Sequence, residues 1–278
     1  TYSATTQGVE AKAVEVEVDA TGLGNETHVA IVGLPDTAVR ESRERISSAL
    51  RSCGFIHPFG WTTINLAPAD LKKSGAAFDL PIAVGMIAAV GALGDANISD
   101  TVFLGELSLN GVVRPTRGAL PVAMHARESG KRRLILPQEN AVEAGVVEGI
   151  EVIGVNDLVE AVHYLKGDFP IEPITVDISQ YYKDPDGGLP DMADIKGQGM
   201  VKRAMEVAAA GGHNCLLVGP PGSGKSMISQ RLPSILPPMD LEEALETTRI
   251  HSITGQLDKD CPLVVRRPFR SPHHTISD

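Results

Sequence analysis

Apolar and acidic residues alternate through Val14-Glu15-Val16-Glu17-Val18, a period of two that puts one side in a core and the other in water. The run therefore predicts a half-buried strand. Residues 28–32 predict a second. Gly33-Leu34-Pro35-Asp36 then turns into a helix, with Asp36 placed to cap it. Val39, Ile46, Ala49 and Leu50 recur along that helix at helical spacing, and the face between them carries Arg40, Arg43, Arg45 and Arg51 among Glu41 and Glu44. Residues 61–66 predict a strand, 78–90 an apolar helix and 102–109 a strand. Helix at 120–128, strands at 133–136 and 151–155, and helix at 157–165 follow. Such an order predicts an α/β or α+β domain on a mixed sheet and excludes a helical bundle.

Residues 167–190 break the pattern with Pro170, Pro173, Pro185, Gly187, Gly188 and Pro190, a density that reads as a linker. The organisation expected is a first domain over 1–168, a linker over 169–190 and a second piece over 191–278. In that piece residues 199–210 form an alanine-rich helix ended by Gly211-Gly212, and 215–218 read as a short buried strand. Residues 225–232 continue as a helix. Residues 240–250 form another, with Asp240 at the cap and Glu243 three residues on.

Composition changes the picture little. The 42% apolar and 22% charged fractions are ordinary for a globular chain. The formal net charge of −10 excludes a basic nucleic-acid arm, so any contact with DNA must come from local patches. Cys53, Cys215 and Cys261 lie far apart, which suits a reducing cytoplasm and neither a disulfide framework nor a metal finger. The longest apolar stretch, 80–93, is broken by glycines and too short to span a bilayer. No leader and no membrane partner are expected. The chain begins without methionine and stops in mid-pattern at Asp278, as a piece of a longer protein does.

The strongest chemistry is Gly219-Pro220-Pro221-Gly222-Ser223-Gly224-Lys225-Ser226, the pattern of a phosphate-binding P-loop. The three glycines let successive backbone N–H groups converge on one anion. The following helix adds its positive end. Lys225 brings a charge to the β and γ phosphates, and the Ser226 hydroxyl completes the coordination of a magnesium ion whose other ligands are phosphate oxygens and water. ATP and Mg²⁺ are thus the expected cofactors. Hydrolysis also needs an acidic residue after a hydrophobic strand. Residues 227–278 hold no such run: Leu263-Val264-Val265 leads into Arg266-Arg267. This piece is expected to bind nucleotide weakly and not to turn it over.

Around that loop stand Asp194-Ile195-Lys196-Gly197-Gln198 and Arg267-Pro268-Phe269-Arg270-Ser271-Pro272-His273-His274. In the first domain stand Gly33-Leu34-Pro35-Asp36, Val39-Arg40-Glu41-Ser42, Asn65-Leu66-Ala67-Pro68-Ala69-Asp70-Leu71-Lys72-Lys73 and Phe78-Asp79-Leu80-Pro81-Ile82-Ala83. Together these resemble the YifB/ComM family of magnesium-chelatase-like AAA+ ATPases over nearly the whole chain. The resemblance implies an N-terminal ribosomal S5 domain 2-like, Lon-protease-like fold followed by the first part of a P-loop AAA+ domain. It implies a hexameric, cytoplasmic motor. It also implies a DNA helicase of the ComM type that drives branch migration in natural transformation, with chelatase- or chaperone-like remodelling of a protein partner as the alternative. Ile195 and Gln198 would lie near the adenine, and the family's remaining ATPase elements would fall beyond Asp278.

A Lon-like fold raises proteolysis by a Ser–Lys pair. The nucleophile's place falls at Asp79 and the lysine's near Pro121, and neither can do that work; Ser74 beside Lys72 and Lys73 is the nearest serine. No protease is expected. Arg40, Arg43, Arg45, Arg51, Lys72 and Lys73 suit either a phosphate-contacting surface or a solvated face. Lys131-Arg132-Arg133 reads as a solvated turn, and Arg266, Arg267 and Arg270 as a functional cluster facing DNA, a neighbouring subunit or nucleotide. His273-His274 suggests a structural or DNA-facing role before a metal. His213 reads as a turn residue and Trp61 as core or rim packing.

Overall fold

The alternating run at 14–18 lies inside an eleven-residue strand, β2 (Glu10–Ala20), whose Val14 and Val16 are buried and whose Glu15 and Glu17 are exposed. The structure is a computed structural model that describes residues 1–21, 27–183, 190–258 and 261–272. It forms two compact units, Thr1–Asp177 with Thr248–Pro262, and Ile178–Thr247 with Leu263–Asp278.

The first unit contains β1 (Tyr2–Gln7), β2, β3 (Thr27–Val32), α1 (Thr37–Ser52), β4 (Gly60–Ala67), α2 (Asp79–Ala89), β5 (Thr101–Phe103), β6 (Glu106–Leu107) and β7 (Val113–Arg114). It continues with α3 (Ala119–Glu128), β8 (Arg133–Pro137), α4 (Gln138–Ala144), β9 (Glu151–Val155) and α5 (Leu158–Lys166). Seven strands form one sheet in the order β3-β4-β2-β1-β5-β8-β9. The pairs β3/β4, β1/β5, β5/β8 and β8/β9 run parallel, while β1/β2 and β2/β4 run antiparallel. This is a mixed α/β sheet, mostly parallel. Its core gathers Val14 and Val16, Ile64 and Leu66, Ile46 and Leu50, and nearly all of α2. An α2 buried on every side explains its uninterrupted apolar sequence.

Local chemistry sets the entry to α1. Gly33 has φ +96, and a Cβ there would sit 2.2 Å from the Leu66 carbonyl oxygen, so only glycine fits. Asp36 then accepts the Val39 N–H at 2.8 Å, and its second oxygen accepts the Gly75 N–H at 3.2 Å. One carboxylate thus caps α1 and holds the loop before α2. Asp36→Ala is expected to lower stability by about 1–2 kcal/mol, with Asp36→Asn keeping the cap on Val39 but losing the bond from Gly75, whose N–H would face an amide donor. Urea unfolding of the three proteins measures this, and an alanine variant as stable as the parent would refute the double role.

Several sequence expectations change here. The strand expected at 102–109 breaks into β5 and β6. Gly105 donates to the Ala77 carbonyl and accepts from the Leu80 N–H, so its backbone belongs to the loop before α2 and not to a ladder. β1, β7 and α4 carried too little periodicity to be recognised. Two of the six basic residues of the supposed surface are not available to it. Arg45 is bound to Asp79. Lys73 is fully buried, with its amine donating to the Pro68 carbonyl. Burial also pushes the Lys73 pKa down, partly offset by Asp70. Trp61 is not core: it is 61% exposed and stacks on His28 with ring centroids 4.7 Å apart. In the basic turn, Lys131 lies over the Tyr2 ring, Arg132 pairs with Glu151 and Arg133 with Asp100.

Candidate nucleotide site

The second unit builds a small core from Met192, Ile195, Met205 and Ile228, with Val201, Leu217, Leu232 and Ile235 partly buried against it. Its helices are α6 (Gly199–Gly211), α7 (Lys225–Ser229) and the beginning of α8 (Leu241–Thr254). Asp240 accepts the Glu243 N–H at 2.8 Å and donates its own N–H to the Glu243 carboxylate at 3.3 Å, the reciprocal capping expected at the head of α8.

The buried strand expected at 215–218 is absent. Leu216 and Val218 are 87% and 85% exposed, and only Leu217 is partly packed. Among its described residues this unit contains no strand at all. A lone strand leaves its backbone groups without ladder partners, so nothing holds 215–218 extended or covers its apolar side chains. The helix expected at 225–232 is also shorter, ending at Ser229, with a 3₁₀ turn at Leu232–Ile235. Pro233 follows too closely for a continuous α-helix.

Part of what the loop's chemistry requires is nevertheless in place. Gly222 and Gly224 adopt φ +78 and +86, a region that side chains disfavour. Lys225 folds back over the loop, its amine donating to the Gly219 and Pro220 carbonyls, each at 2.8 Å, and reaching Ser223 Oγ at 3.4 Å. Lys225 and Ser226 line one cavity of about 590 Å³ with His213, Cys215, Ser229 and Phe269. A cation and a hydroxyl at one cavity, directly after a turn of glycines, fit a nucleotide's phosphates with a magnesium ion. Gly219, Pro220, Pro221, Gly222, Ser223 and Gly224 form the turn before Lys225 and do not line the cavity themselves.

Ile195 and Gln198 stand elsewhere. Ile195 is 2% exposed within the small core, and Gln198 is an exposed residue at φ +54 leading α6; neither lines the cavity. Of the segment 266–272, the cavity takes Phe269 and Ser271. Arg267 binds Glu243 at 2.7 Å and the Pro237 carbonyl at 2.8 Å, while Arg266 and Arg270 are exposed. His273 and His274 lie outside the described residues. Two features escaped the sequence reading. His213 belongs to the cavity lining and not only to a turn. Arg231 clasps the Asp191 carbonyl, Asp194 and the Met227 carbonyl, tying the segment before α6 to α7. Its position just past the P-loop helix was the only available signal.

In the first unit, the place of the nucleophile in a Lon-like fold holds Asp79, which is fully buried. Its carboxylate accepts Arg45 Nε at 2.9 Å and Nη2 at 3.1 Å, and the Leu107 N–H at 3.1 Å. Pro121 lies in α3.

Comparison with known proteins gives two matches to family models: "Subunit ChlI of Mg-chelatase" over residues 14–140 and "Magnesium chelatase, subunit ChlI" over residues 191–278. The chain is 41% identical to the uncharacterized protein YifB of Salmonella typhimurium, across 97% of this chain and 52% of that one. It is 38% identical to the competence protein ComM of Haemophilus influenzae, across 99% of this chain and 54% of that one. A more distant match is Lon protease 2 of Bacillus subtilis, 25% identical across 60% of this chain and 33% of that protein. The chain spans about half the length of the YifB and ComM relatives it matches.

Proposed function

The chain belongs to the YifB/ComM family of magnesium-chelatase-like AAA+ proteins, with a Lon-like mixed α/β unit first, and from that premise we propose that it is the ATP-binding portion of a motor acting on DNA. The observation that carries the nucleotide part is the placing of Lys225 and Ser226 at one cavity, beside a glycine turn. In this reading the Lys225 amine exchanges its two loop carbonyls for phosphate oxygens, and Ser226 supplies a hydroxyl to magnesium. The bound nucleotide supplies the free energy of phosphoryl transfer, with magnesium neutralising its charge. Gly219, Gly222 and Gly224 keep the loop free of side chains that would crowd the phosphates.

The DNA part rests on kinship with a competence protein. The full-length protein then works as a cytoplasmic homo-hexamer, a helicase driving branch migration during uptake of DNA. A second reading, remodelling of a protein partner, has its own support. The chain carries a net charge of −10, and the pairing of Arg45 with Asp79 and the burial of Lys73 thin the basic surface expected on the first unit.

ATPase rates of the full-length protein, with and without branched and single-stranded DNA, separate the two. A clear rise with DNA is expected. A rate indifferent to every DNA but raised by a protein partner would sink the helicase reading and leave the ATP site standing.

A further inference from the structure

We propose that the first unit captures the C-terminal carboxylate of a polypeptide in the cleft between β1 and the head of α2. This cleft, of about 310 Å³, lies apart from the P-loop and beside Asp79 and Pro121, with Ser74, Phe78 and Val122 among its lining. Three observations converge on it.

The first is an exposed row of donors. Ala76, Ala77 and Phe78 line the cleft, and among the described residues their N–H groups make no hydrogen bond. The loop is held from behind: Gly75 N–H goes to Asp36, and the Ala77 carbonyl accepts from Gly105. Successive free amides ahead of an eleven-residue helix form a concavity suited to an anion.

The second is a pair of threonines. Thr5 lines the cleft, and among the described residues its hydroxyl makes no hydrogen bond, so it is open to an acceptor there. Thr116 lines the same cleft with a buried hydroxyl that has no partner among the described residues; buried polar groups are normally satisfied, so one left open at a cleft points to a ligand.

The third concerns charge and the neighbouring edge. Arg117 lines the cleft without an ion-pair or hydrogen-bond partner among the described residues, while Glu106, also on the wall, is engaged with Arg114 at 3.5 Å. One uncommitted cation favours a singly charged planar carboxylate over a dianionic phosphate. Beside it, β5 pairs with β1 only at Tyr2↔Val102, so among the described residues no strand pairs with Ala4, Thr5 and Thr6 on that side of β1. An extended chain can lie along that edge and end its carboxylate at the amides, combining strand addition with capture of a chain terminus.

The test is a titration of the protein followed by backbone amide resonances, with N-acetyl-dialanine as free acid, the same peptide amidated, and inorganic phosphate. The free acid should shift Ala76, Ala77, Phe78 and Thr5 in a saturable way. Arg117→Ala should weaken it about tenfold, the loss of one charge-assisted hydrogen bond. Thr5→Val, which keeps the shape, should weaken it less. The proposal fails if the amidated peptide binds as well, if phosphate saturates these amides and the peptide does not, or if no probe moves them. None of these outcomes touches the ATP site, so the two readings stand or fall separately.

Discussion

Lys225→Ala in the full-length protein is expected to reduce ATP turnover at least about a hundredfold, the scale seen when one preorganised donor is removed from a developing charge. The argument is local. Lys225 is the cation brought into the cavity with Ser226, and its amine already sits over the carbonyls of the loop that precedes it. Alanine removes the charge, and no neighbour replaces it, because Arg231 is committed to Asp191, Asp194 and Met227. Fold should be unaffected, since Lys225 is not a member of the small core. Steady-state hydrolysis and fluorescent-nucleotide binding measure the effect. Turnover within a few fold of the parent, with an intact circular dichroism spectrum, would remove the P-loop assignment.

Asp79→Ala is expected to cost the first unit about 3 kcal/mol near neutral pH. Removing one member of a buried ion pair costs about 3–5 kcal/mol, because the other charge stays behind without its partner. The lower end applies: Arg45 keeps 22% of its side chain in solvent, whereas Asp79 keeps none. The Leu107 N–H would also lose its acceptor. Both partners are held toward higher pKa, for different reasons. The hydrogen bond to Asp79 raises Arg45, and burial pushes Asp79 up to about 6 against the pull of Arg45 and Leu107. An acid raised in this way stabilises the fold fully below its unfolded value of 3.8, and the contribution is lost as pH rises through about 6. Relative to Asp79→Asn, the parent should therefore lose about 2–3 kcal/mol between pH ~4 and ~7. Chemical denaturation across that range tests both statements. A loss below about 1 kcal/mol in the alanine variant would show that water or a relaxed Arg45 replaces the carboxylate.

Asp79 also shows where sequence and structure divide. Its place at the head of an apolar helix was legible, as was its unsuitability as a nucleophile. That it clamps α1 through Arg45 and β6 through Leu107 was not, because the partners stand 34 and 28 residues away. Lys73 repeats the lesson. In sequence it pairs with Lys72 as a basic surface, and in the fold its amine is folded onto the Pro68 carbonyl.

What the sequence determined by itself follows from interactions of short range. Alternation placed β2, helical spacing placed α1, α3 and α5, Asp36 and Asp240 placed caps, and the glycine spacing placed the turn before α7. Each depends on neighbours within a turn or a pleat, where period and side-chain chemistry suffice. Tertiary structure alone decided which side chains are used up and which are left open. It buried Lys73, spent Arg45 on Asp79, split residues 102–109 between β5 and β6, and left 215–218 without a ladder. It also set Thr5, Arg117 and the amides of 76–78 around one cleft. Hydrogen bonds and burial between segments distant in sequence have no period to betray them, and only the folded chain shows which donors remain free.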